Sequence, residues 1–153
     1  MKFLASAMLA ALFHEVCHAL AVHLLGGHIL GMTLGGGGMV MEVAGLDTKG
    51  ECICALAGPV GSLLLAVLPL PTLALCGLCQ GLFNLIPIMP LDGGRILGCI
   101  LEMVVPAHRR KIEIGVELLL LTGAICLGTW AVLLWLWLVF RKFPCKPWGK
   151  RVQ

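Results

Sequence analysis

The chain has 153 residues, 59% of them hydrophobic and 12% charged, with a formal net charge of +3 and a mean hydropathy of +1.01. A soluble domain carries about 25% charged residues, so this composition excludes an ordinary solvated surface and points to a polytopic membrane protein. The basic residues gather at 108–111 and 141–151, where they read as bilayer-edge anchors. They lack the interleaved aromatics of a nucleic-acid groove, so no nucleic-acid partner is expected.

Residues 3–25 form the first expected span, ended by Gly26-Gly27. Lys2, the apolar run after it and Ala19-Leu20-Ala21 mimic a signal peptide. Cleavage there would discard the chemistry described below, so a retained helix is expected. Residues 28–50 differ in character: two short apolar segments flank Gly35 to Gly38, and Met39, Met41 and Val43 alternate with Val40 and Glu42. A period of two predicts a β-hairpin with a loose glycine turn. Asp47, Lys49 and Glu51 mark its polar edge.

A second span is expected over residues 52–70, with small residues at four-residue spacing (Ala57/Gly61, Gly58/Ser62) that allow close helix approach. Residues 72–105 are apolar but broken near 84–94 by Asn84, Pro87, Pro90, Asp92, Gly93 and Gly94. Unwound backbone at membrane depth is tolerated only where it is buried in protein or lines a wet cavity, so the break points to a site. Residues 106–111 form a polar connection, and residues 112–140 a last span with Trp130, Trp135 and Trp137 near its end. The predicted fold is all-α and polytopic: about four transmembrane helices, the third discontinuous, in a single domain over residues 1–153. The eight cysteines lie mostly in apolar segments, and Cys76-x-x-Cys79 has no second CxxC beside it. They read as small apolar helix residues rather than a disulfide framework.

Chemistry concentrates in the first span, at His14-Glu15-Val16-Cys17-His18. Ionisable groups inside a bilayer are costly and usually mark function. HExxH on a helix is a zinc-protease signature. His14 and His18 share a helix face one turn apart, so both imidazoles can reach one Zn2+ ion. Glu15 lies beside them and is the candidate acid/base. A catalytic zinc site takes three protein ligands plus water, and the third is expected from Asp92, the one carboxylate in the broken segment. Glu102 is the runner-up. Asn84 carries an amide donor that can orient a substrate backbone, and it can equally cap the broken helix. His23, His28 and His108 are not expected to bind metal.

Three motifs in order, HEVCH at 14–18, Ala57-Gly58-Pro59 and Asn84-x-x-Pro87-x-x-Pro90-Leu91-Asp92-Gly93-Gly94-Arg95, resemble the site-2 protease family of intramembrane zinc metalloproteases (peptidase M50 type). The resemblance implies His14, His18 and Asp92 as zinc ligands and Glu15 as catalytic acid/base. It implies a hairpin that dips into the bilayer and pairs with an unwound substrate, and a transmembrane or membrane-associated protein as that substrate. The chain leaves no room for the PDZ or CBS domains of some members, so regulation is expected from a membrane partner or from substrate access. The short form is similar to bacterial members, including those of spore formers that activate a sigma factor, which implies a multi-pass protein of a bacterial cell membrane and a signalling or sigma-factor-related substrate. The family often carries Asn three residues after the proline of Ala57-Gly58-Pro59. Ser62 stands there instead, a change expected to affect packing and leave the metal site untouched.

The family arrangement implies a cytoplasmic hairpin and 108–111 loop, whereas the positive-inside rule favours cytoplasmic chain ends. Two other function classes fit intramembrane His and Asp: a metal-binding or transport protein, and an inactive substrate-binding homologue. Glu15 discriminates the first, since a passive metal site does not need it. The complete His, Glu and Asp set argues against the second.

Overall fold

The computed structural model describes residues 2–35 and 38–126. Helix α1 spans Lys2–Leu24 and is apolar around most of its circumference. Its C-terminus closes with Gly27 N–H on the Val22 carbonyl (2.9 Å) and Gly26 N–H on the His23 carbonyl (3.1 Å), with Gly26 at φ 76°. This is a Schellman-type cap, which satisfies carbonyls that the helix leaves open.

The expected hairpin follows as β1 (His28–Gly35) and β2 (Gly38–Ala44), paired antiparallel with Ile29 opposite Val43 and Met32 opposite Met41. The register shifts between Ile29 and Gly31. Met41 and Val43 are buried while Glu42 between them is exposed, as period two requires. The two buried side chains join Val22 of α1 and Cys54 of the next helix in one apolar cluster, which fixes the hairpin against the helices.

Helix α2 runs Thr48–Leu64 and begins four residues before the expected start of the second span. The reason is local. Asp47 adopts an extended backbone and its carboxylate accepts the Gly50 N–H at 2.8 Å, an N-cap that satisfies an orphan donor of the first turn. Lys49 and Glu51 therefore sit in the first helical turns rather than on the hairpin's edge. A short 3₁₀ turn (Leu65–Val67) continues α2, and Pro71 opens helix α3 (Pro71–Asn84) at a position where its missing N–H costs nothing.

The chain is then non-helical until helix α4 (Asp92–Val104), so the predicted break lies between two short helices. A second 3₁₀ turn (Pro106–His108) leads to helix α5 (Arg109–Cys126). Arg109 ties α4 to α5 by donating to Glu113 at 2.8 Å and to Glu102 at 2.9 Å. The hydrogen bonds to Glu113 and then Glu102 raise its affinity for its proton above the ordinary arginine value. The remainder of the expected last span, with Trp130, Trp135 and Trp137, and the basic tail beyond it lie outside the described residues.

Among the described residues two helical segments are long and apolar enough to cross a membrane, Lys2–Leu24 and Thr48–Val67. At 1.5 Å per residue α1 is about 35 Å long, enough for a hydrocarbon core of about 30 Å. Helices α3 and α4 have 14 and 13 residues, and neither reaches that length alone. Helix α2 is central and packs on α1, α3 and α4.

Close approach of α3 to α2 depends on Gly77. A Cβ there would lie 2.6 Å from the Ser62 carbonyl oxygen and 2.7 Å from the Leu65 Cβ. Gly77→Ala is expected to destabilise the detergent-solubilised protein by roughly 1–3 kcal/mol, measured by thermal unfolding. Gly115→Ala in α5, where an added Cβ meets nothing within 4 Å, is the control and should be neutral or slightly stabilising.

Candidate metal centre

The buried residues of α1 are Ala10, His14, His18 and Val22, one per turn at a spacing of four. That stripe faces the bundle, and the two histidines lie at its middle. Asp92 is the first residue of α4 and is delivered by the break before it. The start of α4 lies so close to that break that a Cβ on Gly93 would overlap the Leu85 carbonyl. His14, His18 and Asp92 are 3%, 7% and 6% exposed.

Their polar atoms converge. Asp92 Oδ2 lies 3.0 Å from His14 Nε2 and 3.3 Å from His18 Nε2, and the two Nε2 atoms are 3.1 Å apart. The rings meet edge to face at 83° with centroids 4.7 Å apart. The far nitrogens are held as well. His18 Nδ1 donates to the Cys54 carbonyl at 2.6 Å, and His14 Nδ1 lies 2.8 Å from Ser62 Oγ. A carbonyl only accepts, so the His18 proton sits on Nδ1 and, in the neutral ring, its Nε2 presents a lone pair.

This donor set fits a zinc ion. Ligand atoms 2.0–2.1 Å from a tetrahedral zinc lie about 3.3 Å from one another, close to the spacings seen here. A metal-binding imidazole usually donates its other N–H to a carboxylate, carbonyl or water; His18 Nδ1 does so to the Cys54 carbonyl, and the Ser62 hydroxyl lies at hydrogen-bond distance from His14 Nδ1. Among the described residues this is the group of three His, Cys, Asp or Glu side chains able to hold a metal ion, with ligand atoms within 4.8 Å of one another.

The other predicted residues sit differently. Glu15 is on the same turn as His14 and is partly buried. Asn84 ends α3, at the edge of the break, and its amide donates to the Gln80 carbonyl at 3.1 Å. Glu102, the runner-up ligand, is paired with Arg109 instead. His23, His28 and His108 are exposed. Arg95 lines a shallow cleft with Glu51, Ala55 and Cys99.

One expectation is corrected. Ser62 does not merely pack; its hydroxyl touches His14. A signal for this was present in the sequence. Gly58 and Ser62 are one turn apart on α2, as His14 and His18 are on α1. Once Gly58 faces one histidine, Ser62 faces the other.

Gly58 does face His18: a Cβ added to it would overlap the imidazole ring. Gly58→Ala should therefore displace His18 and lower bound metal well below one equivalent per chain. Elemental analysis of the purified protein checks this, with unchanged helical circular dichroism showing that the fold persists.

The profile of Peptidase family M50 matches residues 66–126, a segment that includes the break, Asp92 and α4. Among curated proteins none matches the chain. Among solved structures, the site-2 protease from Methanocaldococcus jannaschii superposes with a TM-score of 0.67 at 24% identity, over 97% of this chain and 80% of that one. Its fold therefore extends over α1 as well, the helix that the family profile does not reach. The chain is thus similar to Peptidase family M50 in the segment around Asp92, and it shares the fold of that site-2 protease over nearly its whole length.

Proposed function

We propose that the chain is a zinc metalloendopeptidase that hydrolyses peptide bonds of transmembrane or membrane-associated proteins within the bilayer. The observation that carries this reading is the convergence of His14, His18 and Asp92, brought together from positions up to 78 residues apart with Glu15 beside them. In this reading His14, His18 and Asp92 hold Zn2+. The ion supplies Lewis-acid chemistry there, acidifying a water and polarising the scissile carbonyl. Glu15 takes the proton of the attacking water and delivers it to the leaving amine nitrogen. Asn84, at the edge of the break, has an amide that serves to orient the substrate backbone.

In this reading the chain forms one domain of about four spans, of which Lys2–Leu24 and Thr48–Val67 are long and apolar enough to cross alone. The α3–break–α4 segment forms the discontinuous third span, and α5 enters the fourth. The reading makes the protein a multi-pass enzyme, and its likeness to the short bacterial form of the family favours a bacterial cell membrane. Among the described residues the two-stranded sheet leaves one edge of each strand unpaired. An extended substrate segment adding to such an edge keeps its backbone hydrogen-bonded while its helix is unwound. That matters because a helical peptide hides its carbonyls from attack. A signalling or sigma-factor-related membrane protein is the substrate class this reading favours, with a membrane partner controlling access.

Co-expression with a tagged candidate membrane substrate tests the chemistry. Glu15→Gln should lower cleavage by about 10²–10⁴-fold, the usual worth of a general acid/base, while zinc stays bound. Persistent cleavage would sink the mechanism. Asp92→Ala should lose zinc, and an unchanged metal stoichiometry would reject Asp92 as ligand. Stripping the wild-type protein with a chelator should abolish cleavage, and added zinc should restore it.

A further inference from the structure

Cys54, Gly58 and Ser62 follow one another at intervals of four along α2 and so share a face. All three are buried, and that face lies against His18 and His14 of α1. The two helices run antiparallel and match turn for turn. The Cys54 carbonyl accepts from His18, Gly58 leaves space for the His18 ring, and Ser62 reaches His14. Pro59 lies in the same helix. It has no N–H to give the Ala55 carbonyl and its ring crowds that carbonyl, so the helical ladder is already interrupted beside the Cys54 carbonyl.

Ser62 is 0% exposed. A hydroxyl buried this fully in an apolar bundle is unfavourable unless hydrogen-bonded, and its side-chain contact is His14 Nδ1 at 2.8 Å. A neutral imidazole carries its proton on one nitrogen or the other, and the partner of each nitrogen selects which. With no ion bound, the Asp92 carboxylate can accept a proton from His14 Nε2 at 3.0 Å; an ion held by Nε2 would displace that proton, so that Nδ1 carries the remaining one and the Ser62 hydroxyl accepts it.

We propose that Ser62 is the positioning residue for His14. Its hydroxyl oxygen accepts the Nδ1–H, which fixes the ring and leaves the Nε2 lone pair towards Asp92 and His18. The inference rests on the reading that His14 holds the metal. It assigns to one α2 side chain the job that the Cys54 backbone carbonyl does for His18. No bond is made or broken by Ser62; it acts through His14.

The test is metal retention by the purified full-length protein in detergent. Zinc is competed with a chromophoric chelator, and the visible spectrum of the cobalt-loaded protein is recorded. Loss of such a hydrogen-bonding partner typically weakens metal affinity about 10–100-fold. Ser62→Ala should do so and should change the cobalt spectrum at full occupancy. Ser62→Thr keeps the hydroxyl and should stay within about threefold of wild type. Ser62→Cys keeps the volume but offers a poor acceptor, and should follow Ser62→Ala. It stands in for that variant if Ser62→Ala does not fold.

Wild-type affinity and an unchanged cobalt spectrum in Ser62→Ala, or in Ser62→Cys standing in for it, would overturn the proposal. So would a loss in Ser62→Thr as large as that in Ser62→Ala, since volume rather than the hydroxyl would then be at work. Failure of the underlying reading looks different. In that case wild-type protein binds no metal, or His14→Ala binds it as well as wild type does.

Discussion

The structure depends on bringing one carboxylate, Asp92, to two imidazoles inside an apolar bundle. Taking a charge of that kind out of water costs several kcal/mol unless it is paired and hydrogen-bonded. The pairing needs α1 and α4 to meet at one point, although 74 residues separate His18 from Asp92. Most other features follow from that requirement. The third apolar segment cannot be continuous, because Asp92 must sit at a helix start. Helix α1 must turn its His14–His18 face inward, which leaves Phe3, Leu4, Met8, Leu9 and Leu12 exposed on its other sides. In a bilayer those side chains meet lipid, so a surface that water would penalise becomes the favourable one.

Helix α2 is the member that makes the meeting possible. It lies against α1 on the histidine side, and against α3 where Gly77 admits the Ser62 and Leu65 backbone turn. It also packs on α4, which carries Asp92. A single helix thus sets the spacing between the imidazoles and the carboxylate, and it contributes the outer hydrogen bonds of both imidazoles. Small residues are the means. Between apolar helices in lipid no hydrophobic force favours association, so close packing and interhelical hydrogen bonds must supply it. Gly58 and Ser62 provide one of each: close packing under His18, and a hydroxyl on His14.

How much of this was legible in the sequence divides by range. Periodicity within one element was enough to put His14 and His18 on a shared face and Met41 and Val43 on one side of a strand, and the prolines and glycines were enough to find the break. Asp92 stood out because a carboxylate at membrane depth is costly unless it pairs with a cation or a metal. The start of α2 was missed because its apolar run begins at Cys52. The signal that decides it is the Asp47 cap, a polar residue that resembles a loop until its hydrogen bond is seen. The role of Ser62 was missed for a different reason. A serine among small apolar residues has the same pattern whether it packs or bonds, and only the facing helix distinguishes the two. Contacts between helices leave little trace in a single sequence unless the spacings on both helices are compared.

The break also has to solve its own hydrogen bonding, since each unpaired backbone group in an apolar medium costs several kcal/mol. Leu85 N–H is shared among carbonyls of the last turn of α3, including Gly81 at 3.2 Å. Ile86 N–H bonds the Phe83 carbonyl at 3.2 Å, Ile88 the Ile86 carbonyl at 2.8 Å and Leu91 the Ile88 carbonyl at 2.9 Å. At 87 and 90 the residue is proline, which has no N–H to place. The prolines therefore do two things at once. They forbid the helix from continuing through this segment, and they remove two donors that an unwound backbone in the bilayer would otherwise have to satisfy. A discontinuity built from glycine alone would achieve the first and not the second. Proline at 87 and 90, with Ile86, Ile88 and Leu91 each turning back on a preceding carbonyl, is what carries the chain to Asp92 with fewer backbone donors left to satisfy.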